Sequence, residues 1–225
     1  MLTELDLFIV LLAIPLVSGA LLTVVGARAW APNLNIIASL GTFLASALLT
    51  AEIVAAGPRF AFGELFFIDS LNVFFVALTA FVGLTTSIFS GPYMRNEQEH
   101  GKLTAPRLRL YKSMFQLFMF TMLAALTTNN LGILWVAMEA ATLTTVLLVS
   151  LYRTPASLEA AWKYFILCGV GIAQALLGDP RMLIVDEPTA GLDPEERNRF
   201  HNLLGEVGEN VVVLLSTHIV EDVRQ

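Results

Sequence analysis

Long apolar runs alternate with short polar breaks along most of this chain. Six runs, at about residues 7–25, 33–55, 70–89, 110–126, 131–151 and 157–177, carry few charges. Each is close to the ~20 residues that an α-helix needs to cross a ~30 Å hydrocarbon core. The breaks carry turn chemistry: Arg28 to Pro32, Gly57-Pro58, Thr127-Thr128-Asn129-Asn130 and Arg153-Thr154-Pro155. Residues 59–69 are mixed, and 91–109 form the longest polar segment. The pattern predicts an all-α polytopic membrane bundle of about six transmembrane helices.

After Gly178 the texture changes. Met182-Leu183-Ile184-Val185-Asp186 reads as a buried strand that ends in an acid. Residues 194–207 read as an amphipathic helix, with Asp193 as N-cap and Pro194 in the first turn. Val211 to Leu215 lie in a second apolar strand, and a short helix is expected after His218. This short α/β C-terminal fragment is too small to bury a stable core alone. The chain thus divides into a membrane part, 1–176, and a tail, 177–225.

Composition sharpens the division. The 225 residues are 56% hydrophobic and 14% charged, against about 25% charged in an ordinary soluble domain. Residues 1–177 hold nine acids and nine bases, so the tail carries the whole net charge of −6. The first apolar run follows Glu4 and Asp6 and has no Lys or Arg before it. A signal peptide starts positive, so this run is expected to be a retained membrane helix.

Cys168 is the single cysteine, and His100, His201 and His218 lie far apart. No internal disulfide can form and no metal-ligand spacing is present. No cofactor or metal is expected. Neither part is basic enough to suggest nucleic acid.

The charges also predict an orientation. Alternate loops place Arg28, Arg95, Lys102, Arg107, Arg109, Lys112, Arg153 and Lys163 on one side. The other side has Arg59 as its only base, with Glu4, Asp6, Glu52, Glu64 and Asp69. The positive-inside rule puts the first set in the cytoplasm and the N-terminus outside.

Two positions inside the membrane runs carry candidate chemistry. Glu139 lies midway along the fifth run, and an acid there is costly unless it is paired or faces water. It is read as a proton-carrying group, or as an acid that pins helix packing. Thr142, Thr144 and Thr145 add hydroxyls near the same level. Lys163, early in the sixth run, is read as a partner of Glu139 or as a lysine reaching back to the cytoplasmic interface.

Five stretches then resemble one family. They are Ser90-Gly91-Pro92-Tyr93-Met94, the run from Tyr111 to Phe120, Asn129-Asn130-Leu131, Ala137-Met138-Glu139-Ala140-Ala141-Thr142-Leu143-Thr144, and Ala160-Ala161-Trp162-Lys163-Tyr164-Phe165. The family is the antiporter-like, proton-translocating subunits of respiratory complex I, cation/proton antiporters and membrane-bound hydrogenases. The segment around Glu139 is most similar to the hydrogenase-4 component F branch. The resemblance implies a proton channel in which Glu139 and Lys163 take part. It also implies a cofactor-free membrane subunit, with redox chemistry in the partner subunits of an oxidoreductase complex. Family members have more than twice as many helices, with a further channel lysine on a later, broken helix. This chain resembles only their opening part, and proton transport by it alone is not expected.

The tail resembles something else. Met182 to Asp186 followed by Glu187 suits a Walker B strand, whose Asp holds Mg²⁺ and whose Glu orients the attacking water. Ala190-Gly191-Leu192-Asp193-Pro194 and Ser216-Thr217-His218 complete a resemblance to the Walker B, D-loop and switch histidine of ABC transporter ATPases. The residues from Gly171 to Pro180 resemble the helix after that family's signature. The phosphate loop G-x-x-x-x-G-K-[ST] is missing. Gly101-Lys102 is followed by Leu103, and Asn96 stands where the first glycine belongs. The Leu-Ser-Gly-Gly signature is absent too. Asp186, Glu187 and His218 therefore keep catalytic residue types with no means of holding a nucleotide, and ATPase activity is not expected. If the sixth run crosses the membrane, the tail also lies on the side away from ATP.

The expected seam is within residues 169–179, and the chain reads as a chimera of two unrelated coding sequences. The expected function is that of a truncated membrane subunit of a proton-translocating hydrogenase-4 or NADH-quinone-oxidoreductase-like complex. It would act through the lipid bilayer and neighbouring subunits in the inner (cytoplasmic) membrane. The alternatives are an ABC ATP-binding fragment, or a chimeric membrane fragment with no activity.

Overall fold

The computed structural model describes residues 4–177, 182–186 and 212–216, with side chains described for 7–171. Six helices carry the membrane part: α1 Glu4–Val25, α2 Ala31–Ala56, α3 Ser70–Glu99, α4 Ala105–Thr127, α5 Leu131–Val149 and α6 Pro155–Leu177. Five of them, α1 to α5, are long and apolar enough to cross a bilayer. The mostly helical fold is the one that the apolar runs predict.

Two expectations need correction. The helix expected at 70–89 runs on to Glu99, through Gly91 and Pro92, and so absorbs half of the expected polar segment. Thirty residues make α3 ~45 Å long, longer than the hydrocarbon core is thick. Hydropathy marks where the apolar part stops and not where helical hydrogen bonding stops. Pro92 removes one backbone donor, which α3 tolerates. The mixed stretch 59–69 is a small antiparallel hairpin, β1 Arg59–Ala61 with β2 Phe66–Ile68. Its turn holds Phe62, Gly63 and Glu64, all with positive φ. The hairpin ends at Asp69, whose Oδ1 accepts from the backbone N–H groups of Leu71 and Asn72 at 3.0 and 2.8 Å. Asn72 Oδ1 accepts from Asp69 N–H at 2.8 Å. This reciprocal cap satisfies donors that the start of α3 would otherwise leave open.

α4 is the central helix of the bundle and packs on α1, α3 and α5. The interior differs between its two ends. At the hairpin end, Phe8, Leu11, Leu49, Ile53, Val76 and Leu123 form an apolar core. Toward the other end the buried layer is polar. Gln116 of α4 is fully buried, and the two hydrogens of its Nε2 are shared among Asn35 Oδ1 (2.9 Å), Ser39 Oγ (3.0 Å) and the Asn35 carbonyl (3.1 Å). Ser113 Oγ donates to the Gly19 carbonyl (2.8 Å), and Lys112 Nζ to the Gly26 carbonyl (2.9 Å). α4 is thus tied to α2, and to the C-terminal part of α1, by hydrogen bonds as well as by packing. Such bonds add strength between helices because lipid offers no hydrophobic drive.

Gly26, which continues the last turn of α1, leaves little room for a side chain. A Cβ there would lie 2.4 Å from the Leu22 carbonyl oxygen and 2.9 Å from Arg109 Cγ. The first neighbour is backbone and cannot step aside. Gly26→Ala is therefore expected to destabilise the bundle by about 1–3 kcal/mol, as overpacking does. An SDS-titration midpoint unchanged from the wild type would contradict this.

In the tail, β3 Met182–Asp186 and β4 Val212–Ser216 pair in parallel, with Asp186 opposite Ser216. Parallel neighbours need a crossover between them. The expected helix at 194–207 and the segment after His218 lie outside the described residues. Close backbone contacts divide the chain into two units, 1–172 and 173–225, with the division inside α6.

Candidate functional site

α5 begins at Asn130, whose Oδ1 accepts from Gly132 and Ile133 N–H at 3.0 and 3.1 Å. That cap fixes the start of the helix. Glu139 then follows eight residues after Leu131, ~12 Å along the axis. Ala137, Ala141 and Thr144 are buried, at a spacing of four and three residues. They form the inward face, and small side chains there let α5 approach α4 closely. Glu139 sits at the edge of this face and is half-buried. Its helical neighbours at i−4, i−3 and i+4, Trp135, Val136 and Leu143, are exposed, while Thr142 at i+3 is buried.

The carboxylate of Glu139 has no hydrogen bond or ion pair among the described residues. The nearby hydroxyls are turned to their own helix. Thr142 donates to the Met138 carbonyl at 3.1 Å, and Thr145 to the Ala141 carbonyl at 2.9 Å. Thr144 donates to the Ala141 carbonyl at 2.9 Å. These back-bonds remove the hydroxyl protons from competition, so none of the three threonines pins the acid.

Lys163 stands apart. Its Nζ is 2.7 Å from Glu159 Oε1, one turn earlier on α6, and both side chains are largely exposed. Among the described residues no bond joins Lys163 to Glu139. Asp186 ends β3, opposite Ser216. Glu187 and His218 lie outside the described residues.

Other polar groups do not stand out in the sequence as a site. Asn35 and Ser39 of α2 and Lys112, Ser113 and Gln116 of α4 form a buried polar layer, which also takes in the Gly19 and Gly26 carbonyls. Polar residues three to four apart along 112–116, within an apolar run, are the one signal of it. Glu97 is another such group: it is buried, and Lys102 Nζ and Tyr152 OH donate to its carboxylate at 3.0 and 3.1 Å. This ties the end of α3 to the turn after α5.

The fold belongs to a known class of membrane bundle. It superposes on a chain of the membrane-bound sulfane sulfur reductase, an archaeal respiratory membrane complex, with a TM-score of 0.64. The match covers 76% of this chain and 36% of that one, at 20% identity, so it speaks to fold. Sequence carries the comparison further. The N-terminal part resembles the hydrogenase-4 component F homolog of Methylacidiphilum infernorum, 53% identical over 129 residues. This stretch is 57% of the present chain and 27% of the relative. Another segment matches ABC transporter ATP-binding proteins. It is 43% identical over 56 residues to YxlF of Bacillus subtilis, covering 25% of this chain and 19% of that protein. It is 52% identical over 48 residues to human ATP-binding cassette sub-family A member 9, covering 21% of this chain and 3% of that protein. The chain spans about a quarter or less of the curated relatives it matches. No family model matches it.

Proposed function

We propose that residues 1–176 are the opening part of a proton-conducting membrane subunit of a hydrogenase-4 or complex-I-like oxidoreductase, with Glu139 as its proton-carrying group. The observation that carries this reading is the setting of Glu139. It is an acid in the middle of a membrane helix, without a partner among the described residues, on the border between a packed and an open face. A residue that only pinned packing would be bonded to a neighbouring helix, as Gln116 is to Asn35. A residue that passes protons must stay free to change charge and must reach water or a further group. The open face of α5 offers that approach. Lys163, held by Glu159 on its own helix, acts on Glu139 only as a distant charge. The basic loops lie in the cytoplasm by the positive-inside rule, with the subunit in the inner membrane and its N-terminus outside.

Residues 177–225 are the remainder of an ABC ATPase joined to this membrane part. Asp186, Glu187 and His218 have no phosphate-binding loop to serve, and the chain turns over no ATP. Purified chain incubated with ATP and Mg²⁺ is expected to release phosphate at the buffer rate; release that stops on Glu187→Gln would contradict this.

The reading is tested by transplantation. Residues 1–176 replace the matching stretch of a hydrogenase-4 component F in its own complex. Proton uptake during turnover is then followed in inverted vesicles. The swapped complex is expected to acidify the vesicles. Assembly and electron transfer without proton uptake would count against the proposal.

A further inference from the structure

We infer that the end of the bundle formed by the α1–α2 turn, the last turns of α3 and the start of α4 holds a phosphate-bearing anion. The site is independent of Glu139.

A cleft of about 400 Å³ opens there. Arg28, Arg95 and Lys112 line it, and no carboxylate does. Asn35, Ser87 and Ser90 add polar groups to the wall. Three positive charges around one cleft repel one another, and a fold usually answers such a cluster with an acid. Here the nearby acid is committed elsewhere: Glu97 is engaged by Lys102 and Tyr152. Among the described residues neither Arg28 nor Arg95 forms an ion pair. Arg28 instead lies over the ring of Trp30, 5.9 Å from its centre, which orients the guanidinium without neutralising it.

Lys112 makes the cleft a built site. The residue is 9% exposed. Its Nζ donates to the Gly26 carbonyl at 2.9 Å, and Gly26 continues the last turn of α1. Carbonyls at a helix C-terminus hold a cation in place. An ammonium has three donors, so two remain for a ligand. The two arginines at the mouth offer planar forks suited to phosphate oxygens. A buried ammonium at the base and two guanidiniums at the rim is the chemistry of a phosphate site. Carboxylates would also be attracted, but the mixed wall, with Pro32, Met94 and Leu108 beside the polar groups, favours a ligand with an apolar portion. At the basic end of a membrane bundle, an anionic phospholipid headgroup has that form. Free phosphate has the same charged chemistry without the apolar portion.

The test uses the full 225-residue chain, extracted in mild detergent from vesicles of phosphatidylcholine with a minor fraction of phosphatidylglycerol, and weighed by native mass spectrometry. The wild type is expected to retain one phosphatidylglycerol in preference to phosphatidylcholine. The double variant Arg28→Gln/Arg95→Gln is expected to retain it about tenfold less, while Arg153→Gln, a base in the turn before α6 outside the cleft, behaves as the wild type. Both arginines are exposed, and an unchanged helical circular dichroism spectrum establishes that the double variant is folded. Arg28→Lys/Arg95→Lys keeps the charge and is expected to bind between the two. Retention of inorganic phosphate, with the same dependence on Arg28 and Arg95 and no lipid preference, would assign the site to a free anion. Equal retention by wild type and double variant, or retention of neither anion, would overturn the inference.

Discussion

Glu139→Gln is expected to reduce proton uptake by the transplanted complex to the background of uncoupled vesicles. Glutamine preserves the size and shape of glutamate, with an NH2 donor in place of one carboxyl oxygen, but cannot release a proton. Since the acid is bonded to no other side chain among the described residues, its loss strands no buried partner and the helix keeps its packing. Lys163→Gln is expected to have a weaker effect, a reduction by a few-fold. That lysine is neutralised by Glu159 at 2.7 Å, so most of its field is already cancelled. The comparison of the two variants separates a proton carrier from a charge that merely tunes it. Equal loss in both, with the complex assembled, would show that the carrier role is wrongly assigned.

Phe8→Ala is expected to cost about 3 kcal/mol, the lower end of the range for truncating a buried phenylalanine. Phe8 is 1% exposed and its ring lies 5.1 Å from Phe66 and 6.2 Å from Phe62. It pins the β-hairpin to α1 and through it to the apolar core. In lipid the lost contacts are dispersion and shape, because the bilayer is as apolar as the side chain removed. That is why the lower end applies. Phe74 serves as the control. It is 60% exposed on α3, and Phe74→Ala is expected to change stability by less than about 0.5 kcal/mol. SDS titration of helical content reads both. Similar shifts for the two variants would mean that the hairpin is not part of the core.

The membrane bundle is legible in the sequence because its signal is strong. A chain that crosses lipid must close its backbone hydrogen bonds within each segment. Long apolar runs therefore leave few alternatives to helices, and each of the six runs is one. The ends are less legible. α3 continues past Phe89 because a helix already formed in lipid can extend into water, and the polar residues from Arg95 to Glu99 favour no other structure strongly enough to end it. The hairpin at 59–68 escapes because each strand is three residues long, too short to display alternation. Its identity rests on a turn with three positive φ values and on Phe8, which is far away in sequence.

The candidate site is legible in part. A glutamate among alanines and leucines announces itself at position 139, and its place on the helix follows from counting. Its partners do not. Lys163 suggests a pair by proximity along the chain and by family resemblance, yet its bond is to Glu159. The polar layer around Gln116 is hidden because asparagine, serine and glutamine are scattered singly among apolar residues, and their pairing joins positions some eighty apart. The three bases of the cleft are visible in sequence only as markers of orientation. Their convergence needs the ends of α1, α3 and α4 in space.

The tail follows a different logic. Its resemblance to ABC ATPases rests on short strings whose order is informative, and strands β3 and β4 pair as that order requires.

The central claim, that Glu139 exchanges protons from within the membrane, is tested most directly by infrared difference spectroscopy of the full chain in liposomes during pH titration. Proton exchange at this acid predicts a carboxyl band that changes with pH in the wild type and is missing from the spectrum of Glu139→Gln. A spectrum identical in the two proteins would mean that the acid does not titrate, and would reduce Glu139 to a packing residue.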